Sequence, residues 1–206
     1  MRKGLSGRER TVLQSLVDRR HFNMNSILFD PKVLENIDFQ PVECHYNPPI
    51  NAITPGEDLV LRPLRISDYD SGFLENLEQL TDVGKVSKEM FEDSFKRMKN
   101  SDGLYYVIVV ENILSERVIA SATLLIEQKF IHACGLRGRI EDVVVNSTYR
   151  GRQLGKLLID TLALLSKQLG CYKVTLDCRD EKRGFYESLG FKKEEGNSNF
   201  MQIRFH

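Results

Sequence analysis

The sequence predicts an α/β (α+β) domain with a central mixed, mostly antiparallel sheet flanked by helices. Three observations carry this: a switch from helical to extended apolar period near residue 105, a leucine ladder from 154 to 169, and a strand-and-helix alternation beyond it.

In chain order, Leu59 to Leu64 (LVLRPL) reads as a short strand. Ser67 is placed to cap a helix with Phe73, Leu74, Leu77 and Leu80 on one face, and a second helix follows Ser87 with Met90, Phe91, Phe95 and Met98 inward. Then come the β-branched runs Tyr105 to Glu111, Val118 to Phe130 and Arg139 to Val145, separated by ENILSER and HACGLRG and expected to pair antiparallel. Leu154, Leu158, Leu162, Leu165 and Leu169 recur at helical spacing and stop at Gly170, a natural residue for the position past a helix end. Tyr172 to Cys178 reads as a strand, and Glu181 to Leu189 as a short helix closed by Gly190. Two strands are expected to end the chain, the last in the alternating FMQIRF after a Gly196-Asn197 turn.

Upstream, Asn25 to Glu57 is rich in Pro, Asn and Asp and lacks a sustained period. The expected division is therefore 1–57, an N-terminal extension and irregular arm, and 58–206, one catalytic domain. Met1 to Phe22 carries six Arg/Lys against Glu9 and Asp18, with Val12, Leu13, Leu16 and Val17 as a short apolar stripe. That stripe offers little area to a membrane surface, so a solvated extension is expected.

Lys plus Arg and Asp plus Glu each total 29, which removes the basic surplus that nucleic-acid binding needs. Cysteines 44, 134, 171 and 178 form no CxxC pair, so neither a metal site nor a redox motif is expected, and reduced thiols suit the cytoplasm. No apolar run approaches the roughly 20 residues that span a bilayer, and the chain reads as soluble.

The chemistry concentrates in Arg150-Gly151-Arg152-Gln153-Leu154-Gly155-Lys156. A strand ending at Val145, a tight turn and a new helix leave backbone N–H groups free to face an anion. Gly151 and Gly155 admit close approach, and Arg150, Arg152 and Lys156 add positive charge.

The order of elements is that of the GNAT acyl-CoA N-acyltransferase fold, and this segment resembles its signature, Arg/Gln-x-x-Gly-x-Gly/Ala, with Gln153 where the first glycine is expected. From about residue 59 to 205 the chain resembles the eukaryotic glucosamine-6-phosphate N-acetyltransferases. The matching blocks are QLTDVGKVS at 79, EQKFIHACGLRGRIEDVVV at 127, RGRQLGKLL at 150, GCYKVTLDC at 170, GFYESLGF at 184 and MQIR at 201. That family carries Gln at the position of Gln153, but often Asn where this chain has Lys182.

The resemblance implies transfer of acetyl from acetyl-CoA, as co-substrate, to the amine of glucosamine 6-phosphate, a step of UDP-N-acetylglucosamine biosynthesis. It assigns acetyl-CoA to the backbone of Val143, Val144 and Val145 and to Gly151, Arg152, Gln153, Leu154, Gly155 and Lys156. It gives Asp177 the general-base or water-orienting role and Tyr186 the hydrogen bond to the CoA sulfur, while Phe185 is expected in the core. Glu141 joins the catalytic group, and strand alternation places it opposite Asp142. The sugar phosphate is assigned to Thr81, Lys129, Phe130, Ile131, His132, Glu141, Asp142, Val143, Tyr172, Lys173, Asp177 and Arg204, some of them from a partner in a homodimer with shared sites. The competing readings are a GNAT enzyme for another amine, in a protein or polyamine, and a non-catalytic acyl-CoA-binding module.

Overall fold

The β-branched runs pair in sequence order. In the computed structural model, which describes residues 26–43, 45–196 and 201–203, the strands are β1 (Leu59–Pro63), β2 (Tyr105–Asn112), β3 (Arg117–Gln128), β4 (Leu136–Val145) and β5 (Cys171–Leu176). They form one sheet in the order β1-β2-β3-β4-β5. The first four are antiparallel, joined by turns or by helices that return to the same edge, whereas β4 and β5 run parallel. A parallel pair needs a crossover, and the leucine ladder supplies it.

The right-handed α-helices are α1 (Lys32–Glu35), α2 (Gln40–Glu43), α3 (Phe73–Leu77), α4 (Lys88–Lys99), α5 (Leu154–Gln168) and α6 (Arg183–Glu187), and Ile131–Cys134 forms a further helical turn with left-handed backbone at His132, Ala133 and Cys134. The Ser87 hydroxyl caps α4 as its sequence suggests, accepting from the Met90 N–H. Leu157, Leu158, Ile159, Leu162 and Leu165 of α5 are fully buried against one sheet face, each side chain contributing about 1.5–3 kcal/mol by leaving water. This helix lies so close to β4 that a Cβ on Gly138 would fall 2.4 Å from the Ser166 hydroxyl oxygen. Phe73, Phe91 and Phe95 of α3 and α4 cover the opposite face with Val107, Val109 and Val118.

Beside that second layer lies a buried ion network. The Arg62 guanidinium grips Asp68 through two 2.8 Å bonds and donates from Nε to Glu111 at 2.6 Å, tying β1, β2 and the turn at Ile66–Tyr69 together.

The arm also joins the core: Leu34, Ile37, Phe39, Tyr46, Ile50 and Ala52 pack into the α5 layer. It carries α1 and α2 where no period was legible, because each is a single turn, too short to show one.

Other expectations change. Ser67 caps no long helix, since Ile66–Tyr69 is a 3-10 turn and Gly72, left-handed at φ +86°, interrupts the chain before α3. Leu80 lies beyond α3 and is exposed. Phe185 is exposed as well, because α6 has only five residues and lies at the rim of α5. Phe191–Glu194 and Met201–Ile203 adopt no strand, lacking a described strand beside them. The rest of the expected terminal strand, with Arg204, and the basic extension 1–25 lie outside the described residues. No helix among the described residues is long and apolar enough to cross a membrane.

Candidate active site

Pairing between β4 and β5 runs from Leu136–Cys171 to Ile140–Leu176 and then stops, although β4 continues to Val145. A bulge accompanies the parting. Thr123 faces Glu141 and Ser121 faces Val144, so Asp142 and Val143 together oppose the single residue between. Asp142 takes the left-handed φ of +52°. Alternation therefore fails between Asp142 and Val143, whereas Glu141, opposite Thr123, precedes the bulge and stays on the other face from Asp142 by register. Val143 and Val145 turn toward the α5 core, while Val144 shares the face of Glu141 by register. Beyond Ile140, no described strand flanks β4 on the β5 side. There Arg150 Nε donates to the Val145 carbonyl at 3.3 Å, and no described strand takes up the remaining edge groups, which suit an extended ligand as at any unpaired edge.

At the mouth of this gap, Arg139 holds two of the expected catalytic residues. Its Nε donates to Glu141 and its Nη2 to Asp177, each at 2.5 Å. A guanidinium fork suits such bridging because its donors are rigidly spaced. Sequence reading missed Arg139, although Arg-x-Glu on a strand places both side chains on one face. Burial, and then the charge of Glu141, raises the Asp142 carboxyl above its ordinary value.

The acyl-CoA signature segment borders the same opening. Gly151 sits at φ +80° with nothing within 4 Å of a would-be Cβ, so its surroundings are open. Gln153 is left-handed at φ +61° and gives α5 no side-chain cap, a conformation that costs a residue with a side chain about 1–2 kcal/mol. The N–H groups of Leu154, Gly155 and Lys156 form the first turn of α5, where no intrahelical partner exists. A Cβ on Gly155 would meet Val145 and Phe185 at 3.7 and 3.8 Å, ordinary contacts, so protein packing alone does not demand glycine. Arg152 lies over the Tyr149 ring, 5.0 Å from its centroid. Lys156 sends its ammonium away from this turn, to the His45 carbonyl at 2.7 Å.

Tyr186 is half-buried beside Phe185 and Phe191. Burial first, then nearby Cys178, raises its phenol pKa, keeping it a neutral donor. Lys182, in the family's Asn position, is exposed in the turn before α6. Thr81 is exposed just after Gln79, whose side chain accepts from the Ser147 N–H at 2.8 Å, so it belongs to the β4 C-terminal end.

Lys129, Phe130, Ile131 and His132 gather elsewhere. They precede β4, and Tyr172 and Lys173 begin β5, so this cluster occupies the opposite end of the β4–β5 pair from Glu141 and Asp177. His132, Ala133 and Cys134 are all left-handed, and His132 stacks on Tyr172 with ring centroids 4.2 Å apart. Lys129 pairs with Glu127, and Lys173 lies 3.7 Å from Glu194. Phe130 and Ile131 project into solvent, 96% and 63% exposed. A single chain thus brings Thr81, Glu141 to Val145, the α5 start, Asp177 and Tyr186 to one end and leaves the Lys129–His132 group at the other.

Known proteins share this arrangement of elements and sequence. The Acetyltransferase (GNAT) family profile matches residues 72–191. A probable glucosamine 6-phosphate N-acetyltransferase of Drosophila melanogaster is 51% identical over 179 residues, covering 86% of this chain and 81% of the fly protein. Glucosamine 6-phosphate N-acetyltransferase 1 of Dictyostelium discoideum is 41% identical over 138 residues, 67% of this chain and 87% of that protein. The crystal structure of glucosamine-6-phosphate N-acetyltransferase from Arabidopsis thaliana superposes with a TM-score of 0.69 at 40% identity, over 73% of this chain and 100% of that one. The chain belongs to the GNAT acetyltransferase family and, within it, to the eukaryotic glucosamine 6-phosphate N-acetyltransferases.

Proposed function

We propose that this protein transfers acetyl from acetyl-CoA to the amine of glucosamine 6-phosphate, giving N-acetylglucosamine 6-phosphate and CoA for UDP-N-acetylglucosamine synthesis in the cytoplasm. The observation that carries the reading is the parting of β4 from β5 at Ile140–Leu176, with Glu141, Asp177 and Tyr186 around the gap. The names of the fly, slime-mould and plant relatives supply the substrate.

In this reading the pantetheine of acetyl-CoA lies along Val143–Val145 as an added strand. Its pyrophosphate meets Gly151–Lys156 at the start of α5. A sugar amine resembles an α-amino group with pKa about 7.7–8.0, so a modest base suffices at neutral pH. Asp177, directly or through a water held with Glu141, takes the amine proton as nitrogen attacks the thioester carbon. The C–S bond then breaks, and Tyr186 donates to the departing sulfur, stabilising charge that develops only in that step.

The sugar phosphate is bound by Lys129, His132, Lys173 and Arg204, supplied by the second subunit of a homodimer. The exposure of Phe130 and Ile131 supports this, since apolar side chains in the open commonly mark an interface.

Thiol release from acetyl-CoA is the test, with glucosamine 6-phosphate compared against glucosamine and lysine peptides. Turnover that requires the 6-phosphate is expected. Turnover with peptides alone keeps the family and discards the substrate, and acetyl-CoA binding without turnover of any amine points to a non-catalytic module.

A further inference from the structure

Three residues on one side of the first turns of α5, Gln153, Lys156 and Asp160, are engaged by a single short stretch of the arm. The Gln153 carboxamide makes a two-point contact: its Oε1 accepts from the Asn47 N–H and its Nε2 donates to the Pro48 carbonyl, both at 3.1 Å. Lys156 donates to the His45 carbonyl at 2.7 Å, and its ammonium lies 4.5 Å from the Tyr46 ring centroid. Tyr46, buried, donates its hydroxyl to the Asp160 carboxylate at 2.6 Å.

We propose that His45–Pro48 is a positioning element of the acyl-CoA site, fastening Gln153 in its left-handed conformation so that the Leu154, Gly155 and Lys156 N–H groups stay aimed at the pyrophosphate. The inference rests on the acetyl-CoA reading above and extends it to residues outside the signature. It also accounts for Gln153 standing where the GNAT signature has glycine. Glycine tolerates φ +61° without strain but has no side chain to tether. Glutamine is strained there, and its carboxamide is matched to the backbone of the arm, which offsets the strain. The side chains of Gln153 and Lys156 thus serve the arm, and the pyrophosphate is left to the helix backbone. Tyr46 and Asp160 act one layer deeper, locking the arm against α5 so that the Gln153 contact keeps its geometry.

The test uses the whole chain and two variants, Tyr46→Phe and Gln153→Gly, with acetyl-CoA titrated calorimetrically well below each Tm. Acetyl-CoA Kd is expected to rise about fivefold or more in both, the lower end of ordinary coupling between linked sites, with the glucosamine 6-phosphate KM within twofold of wild type. Linkage requires the reverse effect too: acetyl-CoA slows hydrogen exchange at the Asn47 amide in wild type and loses that effect in Gln153→Gly. A merely structural arm lowers Tm but leaves acetyl-CoA Kd unchanged, and that result overturns the inference while the acetyl-transfer reading stands. Gln153→Gly keeps the test decisive if Tyr46→Phe folds poorly, because its position is only half-buried. Failure of the wild-type chain to bind acetyl-CoA overturns both.

Discussion

Arg139→Ala separates the stability of the cleft from its chemistry. The side chain is 31% exposed and its partners Glu141 and Asp177 are 43% and 56% exposed. Ion pairs this open contribute about 0.2–1 kcal/mol each, so losing both costs less than about 2 kcal/mol. For a chain of this size, about 2–4 °C per kcal/mol puts the fall in Tm below about 8 °C. The effect on rate is expected to be much larger, because Arg139 fixes two carboxylates on strands that have already parted. Displacing a reacting group by about 1 Å can cost 10²-fold, so kcat/KM for glucosamine 6-phosphate should fall about 10- to 100-fold. Acetyl-CoA Kd, measured by titration, should stay within twofold. Arg139→Lys keeps the charge but not the fork and should fall between the two. Steady-state thiol release and a melting curve on the same preparations decide the matter. If Arg139→Ala retains kcat/KM within twofold of wild type, the guanidinium does not position the catalytic carboxylates.

Tyr186→Phe should lower kcat about 10- to 150-fold, since a hydrogen bond to a charged group is worth about 1.5–3 kcal/mol, while acetyl-CoA Kd barely changes. Because burial raises the Tyr186 pKa, any alkaline limb it causes lies above the ordinary value of about 10; a limb that persists in the variant belongs to another group. If the sites are shared, inactive Asp177→Asn and His132→Ala chains, unfolded together and refolded as a mixture, recover about a quarter of wild-type activity. Random pairing makes half the dimers mixed, each with one intact site; no recovery means that His132 serves its own chain or none. Asp68→Ala leaves the buried Arg62 short of a partner and should cost about 3–5 kcal/mol in chemical denaturation. A loss under about 1 kcal/mol would show that Glu111 alone satisfies the guanidinium.

The strands and the two long helices were legible because burial imposes a period: Leu154, Leu158, Leu162 and Leu165 all face the sheet, and the Tyr105–Glu111 run fills a central strand. The signature segment was legible as a turn into a helix for the same local reasons. The bulge at Asp142 was not, because it is set by register against β3, and nothing in EDVVV distinguishes it from a regular strand. The hinge at Gly72 was in view but was outweighed by a helical pattern spanning it. The docking of Tyr46 on Asp160 joins residues 114 apart, with neither carrying a local signal. Arg139 fell between these cases, since its bond to Glu141 follows from strand alternation and its bond to Asp177 requires the parallel register with β5.

That register also bears on why one chain would not be enough. Tyr172 is the second residue of β5 and Asp177 follows its end, five residues apart, which at about 3.3 Å per residue separates them by roughly 17 Å. The Lys129–His132 loop is held to the Tyr172 end by the His132–Tyr172 stack, and it is closed by the Lys129 N–H donating to the Gly135 carbonyl at 3.0 Å and by Gln128 Nε2 donating to the Cys134 carbonyl at 2.7 Å. Its left-handed backbone at His132, Ala133 and Cys134 is fixed by those contacts, so swinging the loop to the cleft of its own chain would mean dismantling them. In the proposed homodimer, a two-fold axis across the β4–β5 region would reverse the strands instead, setting the loop of one copy beside the Glu141–Asp177 end of the other. The same operation would cover Phe130 and Ile131, so the cations proposed to read the phosphate and the apolar side chains proposed to hold the subunits together would arrive in one step.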